Sequence, residues 1–338
     1  MYFRAMILVT GGTGLVGSHL LYHLLIENDT VKAIYRKSSD RDRVKHVFSY
    51  YGAESLYEKI QWVVADITDI SSLSKSFKSI THVYHCAARI SFDAADYKQM
   101  LKINIEGTAN IVNLSIANRI EKLCFVSSVA AIGKPVSDSE ITESNEWNVE
   151  DNNYGYTISK HGAEMEVWRC SQEGVPVVIV NPGVIIGPGF WHSGSGKLFS
   201  KVNAGLPFFT EGKTGFVGVD DVIKVMILLM KSEHINERYI LVSENMSFKA
   251  ILSEIAEKLR KKHPRIKIGG LASGIFWRLE WVLSLFGKKP LLTKQAARSS
   301  QNNYSYSNAK IRGQLGFEFT SMAEVIEQTC NYFKSDYS

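Results

Sequence analysis

A glycine-rich segment at residues 10–17, Thr-Gly-Gly-Thr-Gly-Leu-Val-Gly, follows a short apolar run and opens a helical pattern, and few folds accommodate this order. Gly11 permits a tight turn, Gly14 lets the backbone approach a pyrophosphate, and Gly17 allows the helix to pack close to a sheet. The helix N-terminus offers free N–H groups and a positive dipole end to phosphates. The segment therefore predicts a dinucleotide-binding loop between a strand and a helix.

The first half of the chain alternates apolar β-rich runs with longer helical patterns. We expect strands at residues 5–9, 31–35, 60–65, 81–86, 123–127 and 175–180. We expect helices between them at residues 15–27, 69–77, 94–118 and 154–173. Nearly continuous apolar strands are typical of parallel strands that are covered on both faces. The pattern predicts an α/β fold, a Rossmann-type doubly wound parallel sheet whose strands end at one ligand-binding edge.

The pattern changes after Asn181, where Gly and Pro cluster and the later chain becomes mostly helical. A helix is expected at residues 219–230, a late strand at 238–242, and a helix at 248–261 with Ser247 as its N-cap. We therefore predict two domains. Residues 1–182, with 216–242 returning to them, form the Rossmann domain. Residues 183–215 and 243–333 form a smaller, mostly helical C-terminal domain that binds the substrate.

Charge and composition exclude several classes of protein. The 338 residues include 39 Lys and Arg and 34 Asp and Glu, a net charge of +5, and no long basic run. We therefore expect no nucleic-acid partner. His19 and His23 lie one helical turn apart but lack a third ligand, so no metal site is expected. Four scattered cysteines without metal or redox spacing, and no targeting segment, indicate a cytoplasmic protein.

The aromatic segment at residues 271–287 is interrupted by charges and is too short to span a membrane. We expect it to pack within the substrate domain, and we expect no membrane contact. A lid over an apolar substrate, a partner contact and an interfacial membrane helix are the alternatives.

Cofactor choice depends on the end of the second strand, where an acidic residue would bind the 2′-hydroxyl of NAD. The sequence there is Tyr35-Arg36-Lys37, with no acid, and the two cations could hold the 2′-phosphate of NADP. A solvated basic loop is the alternative. Asp66 and Ile67 follow the third strand and are expected at the adenine, although Asp66 could instead cap a helix.

Tyr156 and Lys160 stand four residues apart on a predicted helix and so share one face. The ammonium of Lys160 should lower the pKa of the Tyr156 phenol, which would then exchange a proton with a substrate oxygen near neutral pH. Tyr154 is a competitor whose offset to Lys160 fits a helix face less well.

Ser127 and Ser128 close a predicted strand at the ligand edge of the sheet. One of their hydroxyls could hydrogen-bond the reacting oxygen and orient it. A serine cap or turn is the alternative.

Together the glycine loop, the two serines and the Tyr-x-x-x-Lys pair resemble the extended short-chain dehydrogenase/reductase family, also called the NAD-dependent epimerase/dehydratase family. Residues 85–88, 104–108, 181–183, 187–189, 216–222 and 307–317 extend the likeness over nearly the whole chain. The resemblance implies a catalytic triad of Ser128, Tyr156 and Lys160. It also implies that Lys160 holds the nicotinamide ribose and that Asn104 supports a proton-relay water.

By the same resemblance, the residues after the sixth strand flank the nicotinamide, and helices 94–118 and 154–173 form a homodimer. The NADP site is expected to comprise Gly11, Thr13, Gly14, Leu15, Val16, Gly17, Tyr35, Arg36, Lys37, Asp66, Ile67, Ala87, Ala88, Ser127, Lys160, Pro182, Gly183 and Val184. The substrate site is expected to comprise Ser91, Phe92, Val129 and Tyr156. NAD is the alternative cofactor.

Two branches of the family compete for the function. Residues 88–92 and the aromatic C-terminal part look like the dihydroflavonol-reductase-like and hydroxysteroid-dehydrogenase-like branch, which implies an oxidoreductase acting between NADP(H) and a ketone, aldehyde or alcohol of a small apolar substrate. The alternative is a nucleotide-sugar epimerase, although residues 301–304 lack the arginine that usually grips the sugar nucleotide. Val129 and Ala130 follow Ser128, which disfavours sugar dehydration. A non-catalytic NADP-binding regulatory protein is the alternative from another class.

Overall fold

The computed structural model describes residues 6–28, 30–134, 139–150, 154–268 and 302–337. The aromatic segment 271–287 lies outside the described residues, so its expected packing stays a prediction.

In the described residues, twelve strands form three sheets. Their bounds are β1 (Ile7–Thr10), β2 (Val31–Tyr35), β3 (Ile60–Val64), β4 (His82–His85), β5 (Lys122–Val126), β6 (Val177–Pro182), β7 (Val184–Ile186), β8 (Phe208–Phe209), β9 (Lys213–Gly218), β10 (Glu237–Leu241), β11 (Glu244–Ser247) and β12 (Ile266–Lys267). The main sheet has seven parallel strands in the order β3-β2-β1-β4-β5-β6-β10. The chain order reverses between β1 and β4, which places a ligand cleft at the carboxyl ends of these strands.

The helices connect the strands and cover both faces of the main sheet. Their bounds are α1 (Leu15–Glu27), α2 (Asp42–Tyr50), α3 (Glu54–Tyr57), α4 (Ile70–Ser74), α5 (Tyr97–Leu101), α6 (Gly107–Ala117), α7 (Gly155–Gln172), α8 (Gly196–Asn203), α9 (Val219–Lys231), α10 (Phe248–Lys258), α11 (Ala309–Leu315) and α12 (Met322–Tyr337). Successive residues of β1 point to opposite faces of the sheet. Val9 packs in the core beneath α1 and α9, whereas Leu8 packs in the core beneath α6 and α7. The predicted Rossmann-type α/β fold is confirmed.

A smaller mixed sheet, β11-β9-β7, lies beside the main sheet. A separate apolar core joins it to α8, α10 and α12 through Phe199, Phe216, Ile255 and Ile326. β10 pairs in parallel with β6, so the chain does return to the main sheet after the glycine-rich region. The predicted division into two domains stays a prediction.

The helix predicted over residues 94–118 is not continuous. A 3-10 turn (Ala94–Asp96) and α5 are followed by a π-helical segment, Lys102–Glu106, before α6 begins. The buried Asn104 lies in that segment and hydrogen-bonds the backbone of Arg89, with Oδ1 accepting from the N–H at 2.8 Å and Nδ2 donating to the carbonyl at 3.0 Å. These tertiary hydrogen bonds stabilise the wider turn, a feature common at functional sites.

Metal centres and membrane spans are two other kinds of site that these described residues could form. No group of three or more His, Cys, Asp or Glu side chains among them is arranged to hold a metal ion. None of the helices described combines the length and the apolar character needed to cross a membrane.

Candidate active site

The loop between β1 and α1 is shaped by two glycines that cannot be replaced without a clash. Gly11 has a φ of +69°, and a Cβ there would lie 2.6 Å from the backbone nitrogen of Ala87. A Cβ on Gly17 would lie 2.2 Å from the carbonyl oxygen of Gly11, which already accepts a 3.0 Å hydrogen bond from the N–H of Gly14. The loop and the segment after β4 therefore approach each other as backbone against backbone.

Gly14 differs from Gly11 and Gly17 because it is exposed, and a Cβ there would meet only the oxygen of Gly11 at 3.4 Å. Helix α1 starts at this glycine with no side-chain cap and no acidic residue in its first turn. The first N–H groups of α1 thus face open space at its positive dipole end. This geometry fits a pyrophosphate, which Thr13, Leu15 and Val16 would border.

The residues expected at the adenine end lie on the same edge of the sheet. Arg36 and Lys37 are exposed directly after β2, and the guanidinium of the nearby Arg41 lies 4.6 Å from the ring centre of Tyr35. Asp66 follows β3, and its Oδ1 accepts hydrogen bonds from the N–H of Thr68 at 2.9 Å and from its hydroxyl at 2.7 Å. These bonds close a local turn before α4, whose N-cap is Asp69, so the capping role considered for Asp66 is wrong. The contact of Asp66 with an adenine stays a prediction.

Two further segments complete this side of the cleft. The N–H of Ala87 donates to the hydroxyl of Thr10 at 3.2 Å, which ties the exposed Ala88 and its neighbours to β1. The N–H of Gly183 donates to the carbonyl of Leu241 at 3.0 Å, and a Cβ on Gly183 would lie 2.3 Å from the oxygen of Gly215. Pro182 and Val184 are held on either side of this close crossing.

The two expected catalytic hydroxyls meet where β5 ends and α7 begins. The Ser128 side chain is close enough to the Tyr156 phenol to lower its pKa, and its Oγ accepts a hydrogen bond from the N–H of Ala130 at 3.1 Å. Ser128 thus caps the turn Val129–Ala131, the alternative considered from the sequence, while it also contacts Tyr156. Tyr154 instead precedes the first turn of α7 as its N-cap residue.

The direction expected for the pKa of Tyr156 is wrong in this structure. Burial raises that pKa to about 12, with the nearby Tyr154 adding to the increase and the hydrogen bond with Ser128 opposing it. The expected neighbour, Lys160, is itself buried, and its Nζ donates to the carbonyl of Val126 at 2.8 Å and lies 4.8 Å from the centre of the Phe125 ring. Its ammonium is thus held against β5.

Burial also lowers the pKa values of Lys160 and of the nearby His85. Desolvation lowers the pKa of Lys160 to about 8, and Glu164 and Cys86 oppose this decrease. The adjacent His85 is buried between the hydroxyls of Thr10 and Thr108, and desolvation and the Lys160 charge lower its pKa to about 3. His85 is therefore a neutral packed residue at neutral pH.

Asn104 joins the loop after β4 to helix α7. Besides its two bonds to Arg89, its Nδ2 donates to the hydroxyl of Ser159 at 2.9 Å, and that hydroxyl donates to the carbonyl of Tyr156 at 2.8 Å. The side-chain amide of Asn104 thus clamps protein segments, and its expected support of a relay water stays a prediction.

Of the expected substrate residues, Phe92 lies beside the Tyr156 ring, whereas Val129 and Ser91 make other contacts. Phe92 places its ring 5.9 Å from that of Tyr156 and 6.0 Å from that of Tyr154, measured between centroids. Val129 packs in a small apolar cluster with Ile132 and Tyr306. The hydroxyl of Ser91 donates to Asp96 at 2.7 Å, so in this structure it serves the loop.

Sequence reasoning missed a buried carboxylate, Glu164, one helical turn beyond Lys160. The hydroxyl of Ser127 donates to Glu164 at 2.6 Å, and Arg238 of β10 forms a 3.0 Å ion pair with it. The spacing of Tyr156, Lys160 and Glu164 at four-residue intervals was the available signal, since it places all three on one helix face.

Comparison with known proteins agrees with this geometry. Residues 7–241 match the model of the NAD dependent epimerase/dehydratase family. A Synechocystis sp. protein with the provisional name dihydroflavonol 4-reductase is 28% identical over 336 residues, 97% of this chain and 94% of that protein. Tetraketide alpha-pyrone reductase 2 of Arabidopsis thaliana is 28% identical over 76% of this chain and 82% of its own length.

A solved structure, that of gox2253, superimposes with a TM-score of 0.81 at 25% identity and covers 98% of this chain and 99% of that chain. UDP-glucose 4-epimerase of Thermotoga maritima has a TM-score of 0.78 at 20% identity over 98% of this chain and 99% of that chain, a likeness of fold. These relatives indicate an NAD(P)-dependent oxidoreductase or epimerase/dehydratase. With more than half of its length matched by the family model, the chain belongs to the NAD dependent epimerase/dehydratase family.

Proposed function

We propose that this protein transfers a hydride between NADP(H) and the ketone, aldehyde or alcohol group of a small apolar substrate, with Tyr156 as the general acid and base. The observation that carries the proposal is the position of Ser128 directly after β5 and of Tyr156 in the first turn of α7, where the Ser128 side chain is close enough to the phenol to lower its pKa, one helical turn from Lys160. Two hydroxyls that meet at one point can bind and protonate one substrate oxygen.

The bound nicotinamide supplies or accepts the hydride. In the reduction direction, Ser128 donates a hydrogen bond to the substrate oxygen, and Tyr156 donates its proton to the alkoxide that develops there. A pKa of about 12 keeps Tyr156 protonated at neutral pH, which suits this acid role. The ammonium of Lys160 stabilises the phenolate that remains, because opposite charges attract strongly in a dry site.

The preference for NADP rests on charge. Arg36 and Lys37 are exposed directly after β2, and no carboxylate occupies the position that would bind a 2′-hydroxyl. Two adjacent cations can neutralise a 2′-phosphate through charge-assisted hydrogen bonds.

The preference for an apolar substrate rests on the Phe92 ring beside Tyr156 and on the apolar Val129. Val129 and Ala130 also supply no acid beside Ser128, which argues against sugar dehydration. The names of two relatives, a dihydroflavonol 4-reductase and a tetraketide alpha-pyrone reductase, support carbonyl reduction.

We also infer a homodimer formed through α5–α6 and α7. Tyr97, Ile158 and Met165 are exposed on these helices at 38%, 36% and 43% of their surface. Light scattering coupled to size exclusion should give twice the chain mass, and a monomer at micromolar concentration would contradict the inference.

A panel of carbonyl compounds and sugar nucleotides, followed by nicotinamide absorbance with NADH and NADPH in parallel, tests the function. We expect turnover of apolar carbonyl compounds with NADPH. A Tyr156→Phe variant should retain cofactor affinity and lose about 10²–10⁴-fold in kcat, the usual contribution of a general acid.

Three outcomes would overturn the proposal. Activity with sugar nucleotides alone would indicate the epimerase. NADP binding without turnover of any compound would indicate a regulatory protein. A near wild-type rate for Tyr156→Phe would remove the assigned role of the phenol.

A further inference from the structure

Glu164 is a fully buried carboxylate that the proposed reaction does not use. It lies on α7 one turn after Lys160 and two turns after Tyr156, so the three side chains share one helix face. A buried charge is costly unless hydrogen bonds and an opposite charge compensate for it. The partners of Glu164 therefore show what this carboxylate holds in place.

Three donors from three adjacent strands of the main sheet converge on Glu164. Its Oε2 accepts from the hydroxyl of Ser127, directly after β5, at 2.6 Å and from Nδ2 of Asn181 on β6 at 2.9 Å. Its Oε1 accepts from Nη1 of Arg238 on β10 at 3.0 Å. One carboxylate thus links the end of β5, the end of β6 and the beginning of β10 to the helix that carries Tyr156.

The same contacts fix the backbone at Ser128. Ser127 precedes it in the chain, and Nδ2 of Asn181 donates both to Glu164 and to the carbonyl of Ser128, the latter at 3.0 Å. The peptide groups on both sides of Ser128 are therefore held by groups that Glu164 orders.

Arg238 keeps its position through other contacts as well. Its Nε and Nη2 donate to the carbonyl of Glu143 at 2.9 and 2.6 Å, and Nη2 also donates to the carbonyl of Asn145 at 3.1 Å. The guanidinium thus anchors the loop after Ser128 while it pairs with Glu164.

Lys160 is surrounded by few charged groups. The titratable groups that act on it or respond to it are His85 at the end of β4, Cys86 directly after β4, and Glu164 on its own helix. Burial lowers the pKa of His85 to about 3 and raises that of Cys86 to about 12, so both are neutral near pH 7. Within the described ranges, Glu164 is the charged partner that counteracts the desolvation of Lys160.

We propose that Glu164 is a positioning residue for the reaction, holding the backbone of Ser128 in line with Tyr156 and keeping the Lys160 ammonium charged at neutral pH. This inference rests on the proposed function for its catalytic meaning. The charge it assigns to Lys160 can be measured without a substrate.

The first experiment compares Glu164→Gln with Glu166→Gln, a matched control on the same helix. Glu166 pairs with Arg169 on the outer side of α7, so its variant should behave like the wild type. In Glu164→Gln, kcat should fall. The pH at which kcat declines on the alkaline side, the basic limb of its pH profile, should also decrease by about one unit, because an opposite charge nearby commonly shifts the pKa of a group such as Lys160 by that amount or more. Glu164→Asp, which keeps the charge, should retain the limb while kcat falls. A Glu164→Gln profile parallel to the wild type would overturn the inference.

The second experiment needs no turnover. The pKa of Lys160 is about 8 in the folded protein and 10.5 as a free side chain, so the folded state binds fewer protons between these values. The free energy of unfolding contributed by Lys160 should therefore rise as pH increases from about 8 to about 10.5. The free energy of unfolding is measured for the wild type and for Glu164→Gln, each with and without Lys160→Met. The difference within each pair isolates the contribution of Lys160.

In the Glu164→Gln background the rise should begin at lower pH. If the two backgrounds show the same window, the inference is overturned whatever the substrate panel shows. If the window shifts but no wild-type turnover is found, the result counts against the proposed function and leaves the positioning of Lys160 in place. Should Glu164→Gln not fold, Glu164→Ala takes its place in this comparison. Glu164→Asp, which keeps the charge, tests the position of Ser128 separately, and a wild-type kcat in that variant would overturn the role at Ser128.

Discussion

The two ends of the cleft at the carboxyl edge of the sheet are constructed differently. At the β1–α1 loop, Gly11 and Gly17 bring backbone against backbone, and the exposed Gly14 leaves the start of α1 open to solvent. At the β5–α7 end, buried side chains fill the space, and Lys160 and Glu164 carry charges that are shielded from water. The first end depends on shape and the second on electrostatics, so substitutions at the two ends should alter different measurable properties.

The largest effect is expected from shape at the glycine loop. Gly17→Ala would place a Cβ 2.2 Å from the oxygen of Gly11, whereas Gly14→Ala has room. Gly17→Ala should lower the free energy of unfolding by about 3 kcal/mol, the upper part of the range for overpacking. Gly14→Ala should leave stability nearly unchanged and weaken NADP binding. Urea unfolding and cofactor titration distinguish the two, and equal stability losses would contradict this account of the loop.

An intermediate effect is expected from the exposed cations after β2. Removing both in Arg36→Ser/Lys37→Ser should reduce the preference for NADP over NAD by about thirtyfold, or about 2 kcal/mol, the range for hydrogen bonds to charged groups. The control is Lys45→Ser on α2, also an exposed cation. Parallel titrations with NADP and NAD measure the ratio, and an unchanged ratio would assign cofactor choice to other residues.

The smallest effect is expected in the pH dependence of the rate, which distinguishes the titration of Lys160 from that of Tyr156. Lys160 loses its proton above about pH 8, while Tyr156, with a pKa of about 12, keeps its own. The rate of carbonyl reduction should therefore be nearly constant below about pH 7 and fall by about fivefold between pH 8 and pH 9. A profile that stays flat to pH 10 would show that the charge of Lys160 does not control the reaction.

Local features of the sequence predicted the local features of the molecule. Residues 31–35 form the strand expected there, and α7 differs by one residue at each end from the expected helix, because both patterns depend on side-chain periodicity alone. Helix α2 was missed in the sequence. Its buried residues Val44, Val47 and Phe48 form too short an apolar pattern to indicate a helix, and it is packing in the core beside α1 that stabilises this one.

Features that depend on distant contacts could not be predicted in the same way. The π-helical segment at Asn104 is stabilised by hydrogen bonds to Arg89 and Ser159, which lie in separate parts of the chain. The raised pKa of Tyr156 reflects burial, which only the assembled fold determines. The ion pair of Glu164 joins residues 74 positions apart.

Asn104 also constrains which insertions this chain can accept during evolution. Because one side chain joins the backbone of Arg89 to Ser159 and so to the carbonyl of Tyr156, the segment before Phe92 and the first turn of α7 are connected by hydrogen bonds. A residue inserted between positions 89 and 104 would displace both together. The hydrogen bonds of Asn104 thus constrain the number of residues between the end of β4 and α7.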